Sequence, residues 1–269
     1  MTVSSGALCR KGFAKGRRMA TRLSLSRGDK QKEKSGWRNE WKCFLTVEDY
    51  FKIQSRLQKI ADIDPHAKSS GGAYRIRSLY FDDWNDSALT EKLDGLDARE
   101  KFRIRLYNGN LDTLHLEKKC RMGRRGRKYS EDLTDNQVQS LLAGNLEWME
   151  KIAEEAFEQK SPNSSIVLEL YYKMQYYGLH PCEVVEYIRE PYIYDPGNVR
   201  VTFDYNLRRS MNPWDLLCGD AVLPFPTEGI PWLMEVKWDQ FLPSIIQEAV
   251  QFPGPFLSFS KYAHCRLTY

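Results

Sequence analysis

The 269-residue chain has no run of about 18 apolar residues, so no transmembrane helix is expected. Its six cysteines (Cys9, Cys43, Cys120, Cys182, Cys218 and Cys265) form no C-x-x-C pair. That spacing excludes a zinc ribbon and a small disulfide scaffold, and it fits reduced thiols in a cytoplasmic protein. Four scattered histidines supply neither H-E-x-x-H nor a nucleophile–histidine triad. Neither G-x-x-x-x-G-K-[ST] nor G-x-G-x-x-G occurs, so any nucleotide must be gripped by side chains rather than by a glycine-rich backbone loop. The G-R-R-G of residues 123–126 reads as a hairpin loop. Repeats and low-complexity tracts are also missing.

What is present looks like an ordinary globular chain: 42% hydrophobic and 28% charged residues, enough to build a buried core. The net charge of +4 divides unevenly. Residues 1–36 carry ten Lys/Arg against Asp29 and Glu33, a balance of +8, which leaves −4 for the remaining 30 basic and 34 acidic residues. Residues 1–36 are expected to be a basic, disordered tail, and 37–269 a single domain. Because the domain itself is net negative, no nucleic-acid partner is required.

Alternating segments at 38–44, 74–81, 99–107, 113–121, 127–132, 184–190, 199–205, 232–238 and 262–268 predict strands. Helical spacing follows Thr46 (Tyr50, Ile53, Leu57, Ile60). A capping box, Thr134-x-x-Gln137, predicts a helix to about Phe157. Val167, Leu170, Tyr171, Met174 and Tyr177 mark a further helix closed by Gly178, and Pro243 opens one carrying Ile245, Ile246 and Ala249. Many strands with interspersed helices indicate α+β, with a mainly antiparallel sheet.

The charges within the strands are the informative feature, because residues i, i+2 and i+4 share a face. Arg38, Glu40 and Lys42 share one face. So do Lys101, Arg103 and Arg105, opposite the apolar Phe102, Ile104 and Leu106. Glu117 with Lys119, Lys128 with Ser130, Tyr187 with Arg189, Arg200 with Thr202 and Asp204, and Glu235 with Lys237 repeat the pattern. A single such strand would turn its charges to water. Six strands relying on long cations suggest converging faces. Two cations about 6 Å apart repel by roughly 3 kcal/mol at an effective dielectric of ~20, so a cationic barrel interior calls for a bound polyanion. Phosphate chains suit it, and glutamates inside would serve as ligands for Mg²⁺ or Mn²⁺. Asp82 and Asp204 read as turn or cap residues, and Tyr80 as core.

At these residues the sequence resembles the VTC-type polyphosphate polymerase domain of the triphosphate tunnel (CYTH-like) enzymes. The resemblance runs from about Arg38 to the C-terminus and is carried by nine segments in family order. They are R-N-E-W-K (38–42), S-L-Y-F-D (78–82), K-F-R-I-R-L-Y (101–107), L-E-K-K (116–119), R-K-Y-S (127–130), Y-I-R-E-P-Y (187–192), N-V-R-V-T-F-D (198–204), M-E-V-K (234–237) and F-S-K-Y (259–262). It implies a closed, mainly antiparallel β-barrel with flanking helices whose lumen holds a phosphate chain. Lys42, Arg103, Arg105, Lys119, Lys128, Arg189, Arg200 and Lys261 would contact phosphates. Glu235 would ligate a divalent metal, with Glu40 and Glu117 as weaker candidates that a structural ion pair would explain equally well.

The implied reaction passes the γ-phosphoryl group of ATP to a growing inorganic polyphosphate chain. Hydrolysis of a triphosphate, cyclisation of ATP, or non-catalytic polyphosphate binding would use the same barrel. The E-V-K and S-K-Y segments favour the polymerase. Eukaryotic relatives carry an inositol-phosphate-sensing domain and membrane helices that this chain lacks, so any membrane coupling or regulation is expected from a separate partner.

Overall fold

A computed structural model describes residues 36–158, 165–227 and 232–268. The expected basic tail lies outside the described residues apart from Gly36. The elements run β1 (Asn39–Leu45), α1 (Val47–Leu57), β2 (Asp62–Ile63), α2 (Pro65–Lys68), β3 (Tyr74–Asp82), α3 (Ser87–Leu93), β4 (Ala98–Tyr107), β5 (Leu114–Met122) and β6 (Arg125–Leu133). Then come α4 (Asp135–Leu142), α5 (Glu147–Glu158), α6 (Ile166–Tyr177), β7 (His180–Tyr194), β8 (Val199–Ser210), β9 (Phe225–Pro226), β10 (Trp232–Trp238), α7 (Ser244–Ala249) and α8 (Lys261–Leu267).

Eight strands pair in the order β1-β10-β8-β7-β3-β4-β5-β6, and every pair is antiparallel. A bridge between Arg38 and Gly126 joins the two ends: Arg38 N–H donates to Gly126 O at 3.0 Å and Gly126 N–H to Arg38 O at 3.1 Å. The sheet is therefore a closed barrel with no free edge, and the fold is α+β.

Alternation along the strands puts the apolar side outward. Leu79, Phe81, Ile104, Leu106, Leu114 and Leu116 pack beneath α4, α5 and α6. Cys43, Leu45, Val201, Phe203, Met234 and Val236 pack beneath α1 and α7. Helices thus cover much of the barrel wall, and the charged face of each strand is left to the lumen. A third cluster joins Tyr262, Ala263 and Cys265 of α8 to Tyr80, Val185, Tyr187 and Leu207 of the barrel.

Local chemistry sets the element ends. Thr134 and Gln137 form the reciprocal capping box of α4. Gly178 caps α6 at φ +68, where a Cβ would lie 2.7 Å from the Trp84 ring. The predicted helix to Phe157 is broken, because Gly144 takes φ +80 after Leu142 and the Asn145 side chain accepts from Glu147 N–H to start α5. The 262–268 segment is helical rather than a strand. Ser260 caps it, and Tyr262, Ala263 and Cys265 bury one helical face, so their burial overrides the apparent alternation. Among the described residues no helix is long and apolar enough to cross a membrane.

Candidate active site in the barrel lumen

The lumen holds a cavity of about 860 Å³, measured out to its open mouth. Among the described residues, eleven lysines and arginines line it with one carboxylate, Glu235, and with Tyr80, Tyr187, Phe259 and Ser260. Register brings the cations together. Arg103 lies opposite Glu117, Lys101 opposite Lys119 and Arg99 opposite Arg121 across β4 and β5, while Lys42 lies opposite Glu235 across β1 and β10.

Two ionic networks form the inner part. In the first, the Glu117 carboxylate is buried and receives Arg103 at 2.6 Å, Lys128 at 2.6 Å and Arg105 at 3.7 Å. Arg103 also donates to Tyr80 Oη at 3.1 Å, and Arg105 to Ser78 Oγ at 3.0 Å and Tyr187 Oη at 3.3 Å. Burial pushes the Glu117 carboxyl up, but Arg103, Arg105 and Lys128 outweigh it and hold it well below the usual range. Burial likewise raises the Tyr80 phenol, and Arg103 and Arg105 reverse the sign.

In the second network, Arg189 makes two 2.7 Å hydrogen bonds to Asp204 and approaches Glu235 at 3.5 Å. Lys261 bridges Asp204 at 2.5 Å and Glu235 at 3.3 Å. Lys42 reaches Glu235 at 3.3 Å and Glu40 at 3.7 Å, and Lys237 reaches the same two at 3.0 and 3.5 Å. Burial raises the Glu235 and Asp204 carboxyls, and their cationic neighbours overturn it, holding Glu235 well below the usual range. Glu40 Oε1 is buried with no hydrogen-bond partner among the described residues.

Of the residues singled out from the sequence, Lys42, Arg103, Arg105, Lys119, Arg189, Lys261 and Glu235 line the cavity. Lys128, Glu117 and Glu40 stand behind that lining. Glu117 has both oxygens taken by cations, so it orients Arg103 and Arg105. Arg200 is not brought to the cavity: its guanidinium binds Asp64 at 2.9 Å and Tyr74 Oη at 2.7 Å. Two further readings change. Asp204, expected in a turn, is buried inside the barrel because β8 continues to Ser210, and Tyr80 faces the cavity. Asp82 does cap: its carboxylate accepts Ala88 N–H at 2.7 Å and Leu89 N–H at 3.1 Å at the start of α3.

Sequence reasoning missed Lys92, Arg99 and Arg121 as cavity residues, and it named Lys101 and Lys237 only as strand partners. Alternation already placed Arg99 and Arg121 two residues beyond Lys101 and Lys119. Lys92 and Phe259 carry no such signal, because α3 and the loop before α8 reach the cavity only through tertiary packing.

Residues 37–269 match the VTC domain, and the chain belongs to that family. No curated protein matches it. Among solved structures, an adenylate cyclase-like protein of Bacillus halodurans is 13% identical, with 74% of this chain and 81% of that one covered at a TM-score of 0.41. The Mimivirus capping enzyme triphosphatase is 10% identical over 78% of this chain and 86% of that one, at a TM-score of 0.35. Likenesses of this size carry no argument, and the family assignment rests on the domain match.

Proposed function

We propose that this VTC-family barrel is a polyphosphate polymerase, transferring the γ-phosphoryl group of ATP to the end of an inorganic polyphosphate chain. The supporting observation is a lumen lined, among the described residues, by eleven cations and a single carboxylate. Phosphoryl transfer needs in-line placement and neutralised charge more than a protein nucleophile. Arg103 and Arg105, held by Glu117, Ser78 and Tyr187, would grip phosphate oxygens without first having to be ordered. Arg189 on β7 and Lys261 at the start of α8, fixed by Asp204, would do so as well. Lys42 and Lys119 complete the phosphate contacts; Lys128 acts through Glu117, and Arg200, bound to Asp64 and Tyr74, takes no part. The attacking group is a phosphate oxygen that is already anionic, so no general base is assigned.

The donor set fits a divalent cation. Among the described residues no cluster of three or more His, Cys, Asp and Glu makes an all-protein cage. Mg²⁺ and Mn²⁺, however, characteristically take one or two carboxylates and complete their shell with substrate phosphates and water. Glu235 lines the cavity, and Glu40, with a buried oxygen lacking a hydrogen bond, lies across Lys42 and Lys237 from it. These two would hold the ion, Glu235 giving up cation contacts of 3.0–3.5 Å; Glu117, behind the lining and bound by Arg103 and Lys128 at 2.6 Å, would not. When bound, the ion would neutralise charge on the transferring phosphoryl group.

ATP turnover by the purified chain with Mn²⁺ or Mg²⁺, resolved on a gel stained for polyphosphate with ADP and free phosphate counted, tests the reading. A ladder of chains with stoichiometric ADP is expected. Free phosphate without chains would mean a triphosphatase. No turnover, with strong thermal stabilisation by tripolyphosphate, would mean a binding module.

A further inference from the structure

Charge is distributed unevenly along the lumen. At the Arg103–Glu117 rung of β4 and β5 the cross-strand pair is complementary, but the next two rungs pair Lys101 with Lys119 and Arg99 with Arg121. Like charges directly opposite each other destabilise a sheet. Among the described residues only one carboxylate serves these two rungs: Glu40 lies 3.8 Å from Lys119 and 3.6 Å from Arg121. Lys101 Nζ is buried with no hydrogen-bond partner among the described residues and sits 4.6 Å from the centre of the Tyr262 ring. Arg99 has one long contact, 3.5 Å to Glu91 O. Arg121 donates to Gly123 O at 2.9 Å and stays 3.6 Å from Glu40. Lys92, brought in by α3, donates to Ser258 O at 2.7 Å and Ser258 Oγ at 3.0 Å. All four line the same cavity as the inner networks.

Four cations on three elements converge on one cavity with a single long ion pair among the described residues, Arg121 to Glu40, between them, and a ligand's charge would complete the site. We propose that Lys92, Arg99, Lys101 and Arg121 form a second phosphate station, which holds a later stretch of a linear polyphosphate whose reacting end lies at the Arg103, Arg189 and Glu235 networks. That the ligand is an inorganic chain rests on the polymerase reading; that the station binds a polyanion does not. Its ligand has regularly spaced negative charge and more phosphates than the inner networks alone can hold. Affinity should therefore rise with chain length through these four residues.

Calorimetric titration of the full chain with inorganic tripolyphosphate and with a long linear polyphosphate is the test, applied to wild type, to an R99Q/K101M variant and to a K92Q/R121Q variant. Each lost charge-assisted contact should cost about tenfold in long-chain affinity. Both variants should also show a shallower dependence of long-chain affinity on salt, with a smaller loss for tripolyphosphate. The two variants alter different pairs of positions, so thermal melts identify one that misfolds while the other remains informative. Unchanged long-chain affinity in a folded variant would overturn the proposal. So would equal losses for both ligands, which would make the mouth the primary triphosphate site. The readout is independent of catalysis: chains made by a protein whose long-chain binding ignores these residues would leave the polymerase standing without the station. Binding lost in the variants of a protein that makes no chains would do the reverse.

Discussion

In the inner lumen each cation meets a buried carboxylate: Arg103 and Arg105 on Glu117, Arg189 and Lys261 on Asp204, Lys42 and Lys237 on Glu235. Nearer the mouth, on the same two strands, Lys101 faces Lys119 and Arg99 faces Arg121. The inner networks are held by protein charge in the absence of ligand, which suits groups that must already be in place when charge shifts during phosphoryl transfer. At the mouth the described residues offer only Glu40, at 3.8 Å from Lys119 and 3.6 Å from Arg121, which suits binding that must release and re-form as a chain advances. The carboxylates also revise the simple expectation that converging cations require an anion: Glu117, Asp204, Glu235 and Glu40 already carry part of that burden.

Turning the inner region into something like the mouth should have the largest effect. Glu117→Gln leaves Arg103, Arg105 and Lys128 without their shared counter-charge in a buried site, a loss of about 3–5 kcal/mol. Thermal denaturation should show a Tm lower by about 10 °C for a domain of this size. Tripolyphosphate should restore part of the loss by supplying the missing anion, and an unchanged Tm would dissolve the distinction between the two regions. Next in size, Glu235→Gln should lower metal-dependent turnover by about a hundredfold, comparable to losing one preorganised electrostatic contact, while much of the tripolyphosphate affinity survives. Steady-state rates beside calorimetry separate the two quantities.

The inner region was legible in the sequence because a strand's period of two fixes which residues share a face. Phe102, Ile104 and Leu106 identified the outer side of β4, and Arg103 and Arg105 followed as lumen residues. Barrel closure through Arg38 and Gly126 is a long-range contact that alternation does not encode; the family resemblance supplied it. Asp204 was read as a turn or cap residue at the end of the 199–205 strand, although alternation had already put it on the face of Arg200 and Thr202. Lys261 was placed in the site by the resemblance alone, although the segment after it was read as a strand. Its contact with Asp204 and Glu235 depends on α8 packing against Tyr80 and Val185, which no local pattern announces.

The mouth also differs from the inner region in its titration. Burial, reinforced by Arg99 and Lys92 and opposed by Asp82 and Glu91, lowers the Lys101 amine to about 8. At Lys119 the attraction of Glu40 is outweighed by burial and by Lys42 and Lys237, so that amine falls to about 7. A bound polyanion favours the protonated forms, so binding takes up protons and affinity must fall as pH rises through these values. Long-chain affinity should be greatest below pH 7 and decline by at most about tenfold per pH unit for each amine as it deprotonates. In Lys101→Met the decline above pH 8 should flatten, while the part due to Lys119 remains. An affinity independent of pH from 6 to 9 would mean that neither amine meets the ligand.

The smallest effect concerns the free protein. Below pH 8 Lys101 is protonated in both folded and unfolded chains, and its lowered folded pKa means that charging it opposes folding. Lys101→Met removes that charge, and its contact with the Tyr262 ring, while keeping an apolar side chain of similar length. It should therefore stabilise the ligand-free domain by about 1 kcal/mol at pH 7, raising Tm by roughly 2–4 °C. The gain should shrink as pH rises from 8 toward the ordinary lysine range, where the wild-type amine loses its proton in the folded state first. Saturating long-chain polyphosphate should reverse the order of the two proteins, because the ligand supplies the counter-charge that only wild type can use. A variant less stable than wild type without ligand would show that Lys101 is already satisfied by the fold, and the mouth would then differ from the inner lumen in geometry but not in energetics.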